Sequence, residues 1–223
     1  MRFPFLDFLR GMAVLWMITF HGSYDLKIFG FVDWNFNEGF WYGFPRVIAF
    51  TFLFCVGMSL NYTHGNKINW PALKKRSTKL FLAAGVISLV TYFVFPAQWI
   101  YFGTLHCILV GSVLGTVLVN RRPLAWVILL LILLAQYGLN YDIKWVSAVL
   151  QRPSLDFIPI YPWFWGILAG MLAGPYLSKN SFLANFPDIN FLTILGRHSL
   201  KIYLIHQPII YGVFWGLKIL LNP

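Results

Sequence analysis

LAWVILLLILLAQYG, residues 124–138, runs fifteen positions without a charge. A helix lying on a protein surface would show a polar face within that length, so this stretch belongs in hydrocarbon. With Arg121 and Arg122 just before it, it predicts a membrane helix over 123–139. Crossing about 30 Å of hydrocarbon takes roughly 20 apolar residues. Working outward, that rule predicts six more spans, at 4–22, 42–62, 78–95, 101–119, 158–177 and 199–220. Pro159 and Pro162 fall in the first turns of the sixth of the seven spans, where proline is tolerated.

Composition agrees. Of 223 residues, 59% are hydrophobic and only 11% charged, too few charges to coat a soluble body of this size. Disorder, collagen, coiled coil and a disulfide scaffold are excluded by the same figures. The expected fold is all-α, a polytopic transmembrane bundle of about seven helices. It forms a single domain over 1–223, because the loops leave no room for a second, soluble one. Cys55 and Cys107 lie inside apolar runs without a metal spacing and read as small hydrophobes. Gly166, Gly170 and Gly174 repeat every fourth residue, as do Gly111 with Gly115 and Gly212 with Gly216. These are small-residue ridges for close helix approach, within one chain or between copies in a homo-oligomer.

Seventeen Lys and Arg against seven Asp and Glu give a net charge of +10. Placing the N-terminus in the cytoplasm puts eleven of the cations inside: Arg2, Lys67, Lys74, Lys75, Arg76, Lys79, Arg121, Arg122, Lys179, Arg197 and Lys201. Five fall outside: Lys27, Arg46, Lys144, Arg152 and Lys218. Asp25, Asp33, Glu38, Asp142 and Asp156 join them there. This is the positive-inside pattern, and it accounts for most of the excess charge without a nucleic-acid partner. Trp34, Trp41, Trp99, Trp145 and Trp163 fall near the outer boundaries, as an aromatic belt would.

The charges that do not fit the loops carry the functional signal. In the first span, RFPFLDFLRGMAVLWMITFHGSYDL (residues 2–26), Asp7, Arg10 and His21 share one helix. Ionisable groups inside a membrane helix usually face a partner or a cavity. Arg10 and His21 are eleven residues apart, about three turns plus 20°, so they share one face at a rise of about 16 Å. Asp7 is placed to pair with Arg10, three residues on. Asp25, four residues after His21, is placed to orient its imidazole. Asp7 and Arg10 inside the span, and no small-x-small site after it, argue against a cleaved signal peptide. A histidine beside an acid suits a general base. An arginine at the other membrane face suits a phosphate or carboxylate. Together they fit a phosphate-bearing donor such as acyl-CoA entering from the cytoplasm and an acceptor near the outer face.

Arg10 and His21 at this spacing resemble the arginine-to-histidine motif of transmembrane acyltransferases. Five stretches more closely resemble the bacterial branch of the heparan-α-glucosaminide N-acetyltransferase catalytic domain family. They are LDFLRGMAVLWMITFHGSYDL (6–26), FTFLFCVGMSL (50–60), YFGTLHCILVGSVLG (101–115), IPIYPWFWGILAGMLAG (158–174) and ILGRHSLKIYLIHQPII (194–210). They run in family order over nearly the whole chain. The resemblance implies an acyl-CoA-dependent acyltransferase that moves an acyl group, typically acetyl, to a sugar-type hydroxyl or amine on the far side. It implies an integral protein of the bacterial inner membrane, with lipid and a small-molecule or glycan acceptor as partners. It makes His21 the candidate base and Arg10 part of the donor end. One departure stands out: the lysosomal branch carries its working histidine in the loop after the first helix, whereas residues 22–45 here offer only Asp25, Asp33 and Glu38.

The candidate site is therefore His21 and Asp25 for catalysis, and Asp7, Arg10, Lys75, Arg76 and Arg197 for the donor. Asp33, Arg46, His106, Trp163 and His206 are candidates for the acceptor pocket. Several also have structural readings. His106 reads as a hydrogen-bonded core residue, Arg46 as a partner of Glu38, His198 as a cap, and Lys74, Lys75 and Arg76 as topology-setting charges. His64 shows no signal. No metal spacing, phosphate loop or serine elbow is present. Direct transfer and an acyl-histidine both fit. A different class, a proton-coupled small-molecule transporter, would use His21, Asp25, His106 and His206 as a relay.

Overall fold

A computed structural model describes residues 3–65, 67–139, 153–184, 186–187 and 189–221. Arg2, Asp142, Lys144, Trp145 and Arg152, all used in the charge and belt assignments, lie outside the described residues. Within them all regular structure is helical: α1 (Pro4–Ile28), α2 (Gly39–His64), α3 (Trp70–Val94), α4 (Thr104–Leu118), α5 (Arg122–Leu133, continued by a π turn over Leu134–Gly138), α6 (Ile160–Lys179), α7 (Ser181–Ala184), α8 (Asn190–Arg197) and α9 (Ser199–Leu221). Every predicted span coincides with a helix. The helix at 190–197 was not anticipated.

The boundaries have local causes. Pro4 opens α1 in its first turn, where its missing N–H costs nothing. The helix runs past the predicted end at 22, stopping where Gly30 takes φ +81°, a conformation glycine adopts without strain. The added turns bring Asp25 and Lys27 into the helix. Asn69 caps α3, its side chain accepting from the Ala72 N–H at 3.1 Å, and Pro71 follows in the first turn. The helix thus begins before the predicted 78 and includes Lys74, Lys75 and Arg76.

Among the described residues three helices, α2, α3 and α9, are long and apolar enough on their own to cross a membrane, and α4 and α5 are shorter apolar helices. In α9 only 6% of the most apolar window is buried. Its exposed face includes Ile205, Ile209, Val213 and Leu217, a surface suited to lipid and not to water. The protein is an integral membrane protein.

The chain divides into two compact units, residues 1–52 with 180–223, and residues 53–179. In the first, α1 packs on α8 and α9. The approach of α1 to α8 is reciprocal. A Cβ on Gly11 would strike the backbone carbonyl of Leu192, and one on Gly196 would strike that of Asp7. In the second unit, α3 packs on α4, while α4 and α5 pack on α6. There the predicted glycine ridge is used: a Cβ on Gly170 would meet the Phe54 carbonyl, and one on Gly57 that of Ile167. Leu53, Met58, Leu60, Ile167, Leu168 and Met171 fill the core between, and Cys55 and Cys107 are buried. Among the described residues nothing lies within 4 Å of where Cβ atoms on Gly212 and Gly216 would sit.

Because α1 and α8 meet backbone to backbone, Gly11→Ala is expected to lower the detergent-solubilised melting temperature by the equivalent of about 1–3 kcal/mol. Gly22→Ala, with open space around its Cβ position, should not lower it. Equal melting temperatures for the two would contradict the contact.

Candidate functional site

The first unit gathers two polar clusters along α1. At its start, Asp7 is buried and accepts from Arg10 Nη1 at 3.2 Å, the pair read from the sequence. Arg197, the last residue of α8, brings Nε to 3.6 Å from the other Asp7 oxygen. One carboxylate thus serves two guanidiniums. The glycine contact between α1 and α8 sets this spacing: Gly196 lies against Asp7 and precedes Arg197 directly. Arg197 is 39% exposed at its side chain, so the cluster is accessible.

Three turns on, His21 faces the His206 ring on α9, with ring centres 4.9 Å apart. His206 Nδ1 is 2.8 Å from the Tyr203 carbonyl. A carbonyl has no hydrogen to give, so the ring nitrogen donates, and a neutral ring then keeps a bare lone pair on Nε2. That Nε2 is buried with no hydrogen-bond partner among the described residues. One turn beyond His21, Asp25 is 1% exposed. It does not orient His21, as the sequence spacing suggested. Both of its oxygens accept from Gln207 Nε2 at 3.1 Å. The α1–α9 packing decides this, because it places an amide donor from another helix against the carboxylate. Gln207 is not among the residues singled out in the sequence. It turns its other end, Oε1, into a buried position without a partner.

The surroundings of His21 are aromatic. Phe20 packs edge-on to it, and Phe20 in turn meets Tyr24, Phe36, Trp41 and Phe44. Trp34 stacks on Trp41 at 5.2 Å, so these two belt tryptophans pack on each other. The loop is tied down where Lys27 donates to the Trp34 carbonyl at 2.6 Å. Asp33 lies exposed in this loop. Arg46 is not paired with Glu38. It donates to the Tyr42 carbonyl and lies 3.6 Å over the Tyr42 ring, because a residue one turn back on its own helix is in direct reach.

The remaining candidates belong to the second unit. His106 Nδ1 accepts from the Gly103 N–H at 3.2 Å, which puts the proton on Nε2. Nε2 then donates to Ser88 Oγ at 3.2 Å, and Ser88 donates to the Ile100 carbonyl at 2.6 Å. Both ring nitrogens are committed, and the ring secures the start of α4. Asp156 secures the same turn by accepting from the Thr104 N–H at 2.8 Å. Trp163 is half-buried in the first turns of α6, after the cis Tyr161–Pro162 bond. Lys75 is exposed and Arg76 half-buried near the start of α3. His64, without a signal in the sequence, is 2% exposed, and its Nδ1 accepts from the Asn69 N–H at 3.0 Å. His198, in the first unit, ends α8 as its C-cap.

A family model described as "Heparan-alpha-glucosaminide N-acetyltransferase, catalytic" matches residues 2–208. No curated protein and no solved structure matches the chain.

Asp7, Arg10 and Arg197 share one carboxylate, so their substitutions should not add. Asp7→Asn and Arg197→Gln are each expected to lower the melting temperature. The double variant should differ from the sum by about 0.5–3 kcal/mol. Additive losses would show that Arg197 does not depend on Asp7.

Proposed function

The chain belongs to the heparan-α-glucosaminide N-acetyltransferase catalytic family, and from that premise we propose a membrane acetyltransferase that takes its acetyl group from acetyl-CoA and passes it across the bilayer. The observation that carries the reading is that one helix, α1, holds two separate polar sites about 16 Å apart along its axis. Arg10 and Arg197 form the donor site. Both guanidiniums carry the planar donors that a phosphate takes, and the Arg197 side chain is 39% exposed.

The His21–His206 pair forms the acceptor site. The positive-inside count of the sequence supports a cytoplasmic N-terminus, with the donor entering from the cytoplasm and the acceptor from the outer face. In the direct reaction His21 takes a proton from the acceptor hydroxyl or amine. A bond forms from that oxygen or nitrogen to the thioester carbonyl, the carbon–sulfur bond breaks, and the thiolate takes up a proton as CoA leaves. His206 offers its bare Nε2 beside this step. The relay reading gains no support, because Asp25 is bound to Gln207 and both nitrogens of His106 are engaged.

Acetyl transfer from radiolabelled acetyl-CoA by the purified protein tests the proposal. His21→Ala should lower kcat by about 100-fold or more. Arg10→Gln should act chiefly on the KM for acetyl-CoA. A wild-type protein that binds no acetyl-CoA would overturn the proposal. Full activity in His21→Ala would remove only the role of that residue.

A further inference from the structure

The acceptor site contains a pairing that the general acetyltransfer scheme does not use. His21 and Asp25 stand one turn apart on α1, and each meets one of two consecutive residues of α9. The first rung is His21 with His206, the second Asp25 with Gln207. In the second rung the amide is held by its nitrogen alone. Both Asp25 oxygens face Gln207 Nε2 and accept from it, while Oε1 makes no hydrogen bond to Asp25. Asp25 therefore fixes which way the amide is turned, and the end it leaves over is the acceptor, Oε1. In the first rung the Tyr203 carbonyl fixes the His206 ring in the same sense and leaves over another acceptor, Nε2. Both leftover atoms are buried and have no hydrogen-bond partner among the described residues, and His206 is only 8% exposed. A buried acceptor left unmatched costs stability, so each of these two atoms, on adjacent residues of α9, calls for a hydrogen donor.

We infer that Gln207 is an acceptor-binding residue, and that Asp25 is its positioning residue. Resting on the acetyltransferase reading, the pair requires the group presented to His21 to be a hydrogen donor, and it turns away ethers and other groups that can only accept. Asp25 acts through the amide of Gln207. This role replaces the orientation of His21 that the i, i+4 spacing suggested.

The test uses the full chain in lipid nanodiscs and compares binding of octyl glucosaminide and octyl glucoside with that of permethylated octyl glucoside. Acetyl-CoA affinity is measured on the same preparations. The wild type should favour the two hydrogen-donating glycosides by about tenfold or more. Gln207→Met should abolish that preference and leave acetyl-CoA affinity within about twofold. Gln207→Glu alone sets two carboxylates together and should also lose it. Adding Asp25→Asn to Gln207→Glu should restore it. The Asn side-chain nitrogen then donates to one Glu oxygen and leaves the other as the acceptor, so a polarity role is rescued. A wild type without the preference, or one that binds neither donor, overturns the inference, as does a Gln207→Met variant that keeps it. If the preference is present and depends on Gln207 but acetyl-CoA does not bind, the donor reading fails and the polarity site stands.

Discussion

An ionisable side chain carried into a bilayer must find its partner within the protein, and α1 carries several. Asp7 and Arg10 satisfy each other locally, three residues apart on one helix face. Asp25 has no cation in the adjacent turn of that face and is answered from α9 by the amide of Gln207. The position of α9 against α1 is therefore bound to the burial of Asp25, and that same packing sets His206 against His21. The need to satisfy α1 and the assembly of the site are one constraint.

Close backbone approach makes the other end work. Gly11 and Gly196 let α1 and α8 meet without side chains between them, which delivers Arg197 to Asp7. Without a strong hydrophobic drive between helices inside lipid, such small-residue contacts are a main source of packing energy. Gly57 and Gly170 do the same for α2 and α6 in the second unit.

The membrane helices were legible in the sequence because uncharged length is a local signal, and every predicted span is a helix. The Asp7–Arg10 pair was legible for the same reason, since helical spacing sets it. Helix α8 was missed because its pattern is inverted for a soluble reading. Thr193 and Gly196 turn inward against α1, while Phe191 and Ile194 point outward. A Thr-x-x-Gly spacing, read as a small-residue face, was the available signal. Asp25 was assigned to His21 because the i, i+4 rule sees only one helix. Its real partner is 182 residues away, and no periodicity announces it. Arg46 shows the reverse error, an assumed loop partner displaced by the nearer Tyr42.

The central claim is that α1 holds a donor site and an acceptor site at two depths. A cryo-EM structure with bound acetyl-CoA tests it most directly. The account predicts the CoA phosphates beside Arg10 and Arg197, with the acetyl end directed along α1 toward His21 and His206. CoA bound away from α1, or with its phosphates at the His21 end, would contradict it.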